Sequence, residues 1–134
     1  MTDPNCIFCK IVASEIPSVK IWENNDFIAI LDINPNVEGA TVLLSKNHQS
    51  SNFLSLPEDV LCDFTKAAKT VAEILAGGLG ADRVMLVAEG MDVDHAHLKL
   101  YPSNEATYPG FLTTGGGKPT TTEELERVAK KIRE

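Results

Sequence analysis

The chain is short of histidine and cysteine, with three of each in 134 residues, and short of aromatics, with one Trp, two Tyr and five Phe. No apolar run approaches the roughly eighteen residues that a membrane helix requires. The opening residues, Met1-Thr2-Asp3-Pro4-Asn5-Cys6, lack the basic and apolar stretches of a signal peptide. A small, odd number of cysteines does not make the framework of a secreted disulfide scaffold. These absences point to a cytoplasmic protein with reduced or metal-bound thiols and no membrane partner. Positive charge is scarce too. Twelve Lys and Arg against nineteen Asp and Glu leave a net charge of −7, which repels a polyanion over most of the surface and argues against nucleic-acid binding. A small anion held in a locally positive pocket is compatible with that balance.

What is present suffices for one domain. With 43% hydrophobic and 23% charged residues the chain can bury a core without disulfides. Ile7, Phe8, Ile11 and Val12 recur at helical spacing, so Cys6 to Ala13 is predicted to be a short helix carrying a Cys6-x-x-Cys9 pair. Val19 to Glu23 and Phe27 to Leu31 read as a hairpin around Asn24-Asn25-Asp26, Ala40 to Ser45 as a third strand and Arg83 to Ala88 as a fourth. Ser55-Leu56-Pro57-Glu58 has the spacing of a capping box. Val60, Leu61, Phe64, Ala67, Ala68, Val71, Ile74 and Leu75 then follow a 3.6-residue period, predicting a long helix that ends at Gly77-Gly78. From His95 to Tyr101 the pattern alternates, which puts Ala96, Leu98 and Leu100 on one face and His95, His97, Lys99 and Tyr101 on the other.

Beyond Pro102 the composition turns to Ser, Thr, Gly and Pro. The stretch Thr113 to Pro119 reads as a linker, and it is no Walker A loop, because Leu112 and Pro119 occupy positions that need Gly and Ser or Thr. A last helix is expected from Thr121 to Arg133, capped by Thr121 and Glu124, with Leu125, Val128, Ala129 and Ile132 on one stripe. Residues 1–102 are thus expected to form the domain, and 103–134 a linker and a helix that docks on it or on a partner subunit.

The three histidines carry the chemical information. His95 and His97 share a strand face, and His48 lies just past the third strand in Ser45-Lys46-Asn47-His48. If those strands are neighbours, His48 can face His95. Cys6 and Cys9 add two thiolates at a spacing zinc sites use, and two thiolates with two imidazoles make a closed tetrahedral Cys2His2 centre. Two other readings stand beside it: small apolar side chains on a packed helix face, or a redox pair. The redox pair fits less well, because it should follow a strand in a βαβ unit and this pair precedes every strand. Cys62, without nearby ligands, reads as an ordinary thiol, and Trp22 as sheet packing.

Several segments resemble the histidine-triad (HIT) family in order and spacing over about residues 5–102: Cys6-Ile7-Phe8-Cys9-Lys10-Ile11-Val12, Glu15-Ile16-Pro17-Ser18, Leu31-Asp32-Ile33-Asn34-Pro35 followed by Gly39, Lys46-Asn47-His48, and His95-Ala96-His97-Leu98-Lys99-Leu100-Tyr101-Pro102. The resemblance implies an α+β fold, a single HIT-like domain with an antiparallel sheet of about five strands packed with one long helix, a short N-terminal helix and a C-terminal helix. It also implies a homodimer that acts on dinucleoside polyphosphates, nucleoside phosphoramidates or nucleotidylated compounds. By similarity His97 is the nucleophile; Cys6, Cys9, His48 and His95 bind a structural zinc; Asp32 holds ribose hydroxyls; and Phe8, Ile11 and Ile33 line the base pocket. The chemistry is coherent on its own terms. Attack of a neutral, exposed imidazole nitrogen on phosphorus splits one hard step into two, and a metal-bound His95 is not free to compete.

Two departures stand out. Lys99 occupies the third triad position, where its ammonium could stabilise phosphate charge as a second catalytic group. The loop Glu89-Gly90-Met91-Asp92-Val93-Asp94 is short, puts Met91 where many members carry glutamine, and brings two aspartates near the phosphate site unless they face away, cap amides or meet Lys99. A module that binds nucleotide and zinc without turnover is the alternative function.

Overall fold

The structure, a computed structural model, describes residues 2–108 and 117–133. Three helices, α1 (Ile7–Val12), α2 (Glu58–Leu79) and α3 (Thr122–Arg133), accompany five strands: β1 (Lys20–Glu23), β2 (Phe27–Leu31), β3 (Thr41–Ser45), β4 (Arg83–Val87) and β5 (His97–Ser103). The strands form one antiparallel sheet in the order β1-β2-β3-β5-β4. This is the α+β architecture expected from the sequence. The crossover that inserts β5 between β3 and β4 is what brings the loop after β3 beside the loop before β5.

Each face of the sheet is covered by helix, so β2 and β3 are buried at every position. On one face Ala29, Leu31, Leu43, Leu98 and Leu100 meet Phe64, Ala68, Val71 and Leu75 of α2. On the other, Ile28, Ile30, Val42 and Leu44 meet Phe8, Ile11 and Val12 of α1. A strand buried on both sides loses the polar alternation of a half-exposed strand and reads as a continuous apolar run, as Phe27-Ile28-Ala29-Ile30-Leu31 does.

The C-terminal helix packs on α2 and β1 of the same chain through Leu125, Val128, Ala129 and Ile132. Thr121 Oγ1 accepts the Glu124 N–H at 3.1 Å, which is half of the predicted capping box; the Glu124 carboxylate turns instead to Arg127. Arg127 and Lys131 reach Glu38 at 3.0 and 2.9 Å, and the Thr120 N–H donates to the Ile33 carbonyl at 3.0 Å. The predicted linker falls mostly on residues outside those described.

Two helix boundaries differ from the sequence reading. Ser55 does not cap α2. It closes a single 3-10 turn, Phe53–Ser55, and its hydroxyl donates to the Asn52 carbonyl at 2.7 Å, while Pro57 is the residue before the helix. Nor do Gly77 and Gly78 stop the helix, which runs to Leu79 and ends on Gly80 at φ +66°. Gly78 serves packing: a Cβ there would lie 2.4 Å from Ile132 Cα, whereas one at Gly77 meets nothing within 4 Å. Gly78→Ala is therefore expected to destabilise by about 1–3 kcal/mol, and Gly77→Ala to stabilise by about 0.5–1 kcal/mol, because alanine loses less backbone entropy in a helix. Paired urea titrations of the two variants check the opposite signs.

Candidate active site and metal centre

Cys6 sits at the start of α1, where its sulfur accepts the Cys9 N–H at 3.4 Å; the Cys9 sulfur accepts the Asp3 N–H, also at 3.4 Å. The Asp3 amide aimed at the Cys9 sulfur opposes the burial that favours its thiol. His48 follows β3, and His95 lies two residues before β5, outside the strand the sequence predicts to begin there. The two loops are stitched together by Ala96 N–H to the Gln49 carbonyl at 2.8 Å and Ser45 N–H to the Ala96 carbonyl at 3.2 Å.

His95 is fully buried, and its Nε2 lies 2.7 Å from the Ser45 carbonyl. A carbonyl can only accept, so Nε2 carries the proton and Nδ1 presents its lone pair. That lone pair points at Cys6 Sγ (3.3 Å), Cys9 Sγ (3.5 Å) and His48 Nδ1 (3.3 Å), and Cys9 Sγ lies 3.4 Å from His48 Nδ1. All four donor atoms fall within 4.8 Å of one another. Metal–nitrogen bonds of ~2.0–2.1 Å and metal–sulfur bonds of ~2.3 Å make tetrahedral N···N and N···S edges of about 3.3–3.6 Å. The four measured separations match those edges, so Cys6, Cys9, His48 and His95 can hold a metal ion. Burial pushes the Cys9 thiol up and the His95 imidazolium down, favouring the neutral form of each of these two groups. The Asp3 carboxylate, 3.9 Å from His48 Nε2, is an outer partner that sequence spacing did not reveal.

His97 stands on the opposite side of the peptide from the α2 core. Its Nδ1 lies 2.6 Å from the His95 carbonyl. By the same logic Nδ1 bears the proton, and the lone pair of the neutral ring sits on Nε2. Phe8 packs edge-on against the ring, centroids 5.0 Å apart, and also against His95 at 5.8 Å. His97 keeps 5% of its surface, less than the exposed nitrogen expected from sequence, because α1 and Phe8 cover this face of the sheet. Burial, then the nearby Lys99 ammonium, lowers the His97 pKa, with the His95 carbonyl opposing. The ring is neutral at pH 7.

The register arranges this face in three rows. Ile28, Leu44 and His97 form the first, and Ile30, Val42 and Lys99 the second. One register step further are Asp32, Ala40 and Tyr101, with the Asp32 N–H donating to the Ala40 carbonyl at 2.9 Å. Phe8 and Ile11 are thus brought beside the His97 row, and Lys99 two residues along the same strand. Asp32 is half-buried and accepts the Asn34 N–H at 2.8 Å, the turn-forming role its sequence position also suggests. Ile33, next to Asp32, is 63% exposed. Ile28, Ile30, Val42 and Leu44 form the apolar floor and were not singled out from sequence; the unbroken hydrophobicity of β2 and β3 was their signal. Of the loop aspartates, Asp94 caps the Ser51 N–H at 3.0 Å, which lowers its pKa, and Met91 is exposed. Cys62 is exposed, and Trp22 packs at the edge of the main core.

The HIT domain family model matches residues 13–105. An uncharacterized HIT-like protein of Methanocaldococcus jannaschii is 38% identical over 133 residues, covering 96% of this chain and 98% of the relative. The adenosine 5'-monophosphoramidase HNT1 of Saccharomyces cerevisiae is 30% identical over 135 residues, covering 97% and 82%. A crystal structure of a HIT-like protein involved in cell-cycle regulation from Bartonella henselae superposes with a TM-score of 0.81 at 33% identity, covering 99% and 97%. The chain belongs to the HIT family.

Proposed function

We propose that this HIT-type nucleotide hydrolase cleaves nucleoside phosphoramidates or dinucleoside polyphosphates through a nucleotidyl-His97 intermediate. The observation that carries the reading is the 2.6 Å contact from His97 Nδ1 to the His95 carbonyl. It commits the lone pair to Nε2, and the carbonyl dipole faces the ring as it gains positive charge during attack. Nε2 bonds to the phosphorus, the leaving amine or phosphate departs with the bonding pair and takes a proton from solvent, and water then cleaves the P–N bond, releasing the nucleotide, returning a proton to solvent and restoring the neutral ring. Lys99, which meets no acidic partner among the described residues, offers positive charge for the phosphoryl oxygens. Phe8, Ile11 and Ile33 would receive the base and Asp32 the sugar. Similarity to the yeast phosphoramidase supports the substrate class.

In this reading Cys6, Cys9, His48 and His95 hold zinc, whose closed ligand set leaves it no catalytic position, and the protein works in the cytoplasm. Residues 1–102 act as the domain, with 103–134 its C-terminal extension. The outer edge of β4, with Leu86 half exposed above a groove lined by Ala68, Ala72, Val84 and Leu100, is the surface that would join a second copy; a sedimentation mass of two chains checks the dimer.

Incubation with a slowly turned-over adenylylated substrate should raise the protein mass by one nucleotide, on His97. The near-complete burial of His97 favours a second reading, a nucleotide-binding module without turnover. Nucleotide binding with no mass adduct and no product would select it.

A further inference from the structure

We propose that the Tyr101 hydroxyl is a specificity-determining group that hydrogen-bonds the sugar of the bound nucleotide, opposite Asp32. The inference rests on the nucleotide-hydrolase reading of the site above and adds a residue to it.

Tyr101 is 1% exposed, and its hydroxyl is the single buried side-chain nitrogen or oxygen among the described residues with no hydrogen-bond partner. Buried polar atoms are almost always satisfied, since each has given up water, and an orphan at the edge of a functional face calls for a ligand. Its place in the register says which part of the ligand. His97, Lys99 and Tyr101 follow one another along β5 on the same face, about 7 Å apart per step. The nucleophile in the first row defines where phosphorus sits, and a sugar that runs from that phosphate along the strand reaches the third row. In the third row Tyr101 is separated from Asp32 only by Ala40, with the two backbones about 9.5 Å apart across two strand spacings. The smallest side chain of the row thus lies between its two polar ones.

The chemistry of the pair suits a sugar diol. Asp32 can only accept, and one of its oxygens is engaged by the Asn34 N–H. Tyr101 can donate. Burial, reinforced by the carboxylates of Asp32 and Glu89, pushes the phenol up to about 12, so it keeps its proton throughout the neutral range. The same two carboxylates would repel a phosphate from this row, which leaves the neutral hydroxyls of the sugar as the fitting partner.

The test is Tyr101→Phe in the full chain, with two pairs of probes. Calorimetry measures AMP and 2′,3′-dideoxy-AMP, and turnover assays use adenosine phosphoramidate and its dideoxy analogue. Since the hydroxyl has no hydrogen-bond partner among the described residues, the variant is expected to keep its metal content and to melt at the same temperature or higher. One lost hydrogen bond should weaken AMP binding by about three- to tenfold and raise KM by a similar factor at nearly constant kcat. The dideoxy probes should change by less than about twofold, on the scale of that same hydrogen-bond loss. Equal losses on both sugars, a loss accompanied by a lower melting temperature, or no loss at all would each overturn the proposal. If the parent protein binds both nucleotides but turns over neither phosphoramidate, the hydrolase reading fails while calorimetry still decides the sugar contact; if it binds neither nucleotide, both fail.

Discussion

His97→Ala is expected to lower turnover of adenosine phosphoramidate by about 10³-fold or more, with AMP affinity and metal content unchanged. Neither of the polar residues flanking it, His95 or Lys99, can take the role. His95 Nδ1 points into the Cys6, Cys9 and His48 cluster and its Nε2 donates to the Ser45 carbonyl, so neither nitrogen is free to attack. Lys99 is a cation and no nucleophile. Its replacement by glutamine should cost less, about 10²-fold in kcat, because it would remove charge stabilisation while leaving the covalent route open. Steady-state assays of both variants, with calorimetry as the control for binding, separate the two effects. Comparable losses for His97→Ala and Lys99→Gln would mean that the ring is not a covalent catalyst.

The donor set of the metal centre was legible in the sequence because it depends on residue type and short spacing. Cys6-x-x-Cys9 and the His95, His97 alternation are local facts. That His48 meets His95 was conditional, since it needs β3 and β5 to be neighbours. The structure meets that condition by a crossover that places β4 outside β5, a non-local choice. The covering of His97 was not legible for the same kind of reason. Phe8 looks like any apolar residue of a short helix, and only tertiary packing turns it onto the imidazole. The helix ends failed in an instructive way. Glycine pairs signal a left-handed stop, yet Gly78 answers to the backbone of Ile132 more than fifty residues away. Ser55 had the right spacing to a glutamate, but the local 3-10 turn captured its hydroxyl first. Tyr101 was placed on the correct face by alternation alone; that its hydroxyl lacks a partner among the described residues depends on everything packed around it.

Cys9→Ser should abolish stoichiometric metal binding, lower the melting temperature by about 10 °C, and slow turnover as well. The stability loss follows from what the centre joins. Its candidate ligands come from α1 and its N-cap, the loop after β3 and the loop before β5, and α1 is only six residues long, too short to persist without an anchor. A loss of about 3 kcal/mol corresponds to that shift for a chain of this size, and it is well below the free energy of a zinc finger because the α2 face of the core does not depend on the metal. The effect on turnover separates a positioning role from an idle one. The His95 carbonyl that binds His97 Nδ1 belongs to a candidate metal ligand, so losing an ion held there would free the carbonyl to move and unsettle the ring it orients. Displacement of an ångström at a nucleophile costs about 10²-fold in rate. The measurement is metal content by elemental analysis, melting by calorimetry and kcat for the same preparation, below the melting temperature of the variant. Cys62→Ser, on the exposed surface of α2, is the matched control and should leave all three unchanged. Full kcat in a metal-free, folded Cys9→Ser protein would show that the centre does nothing for the site beside it.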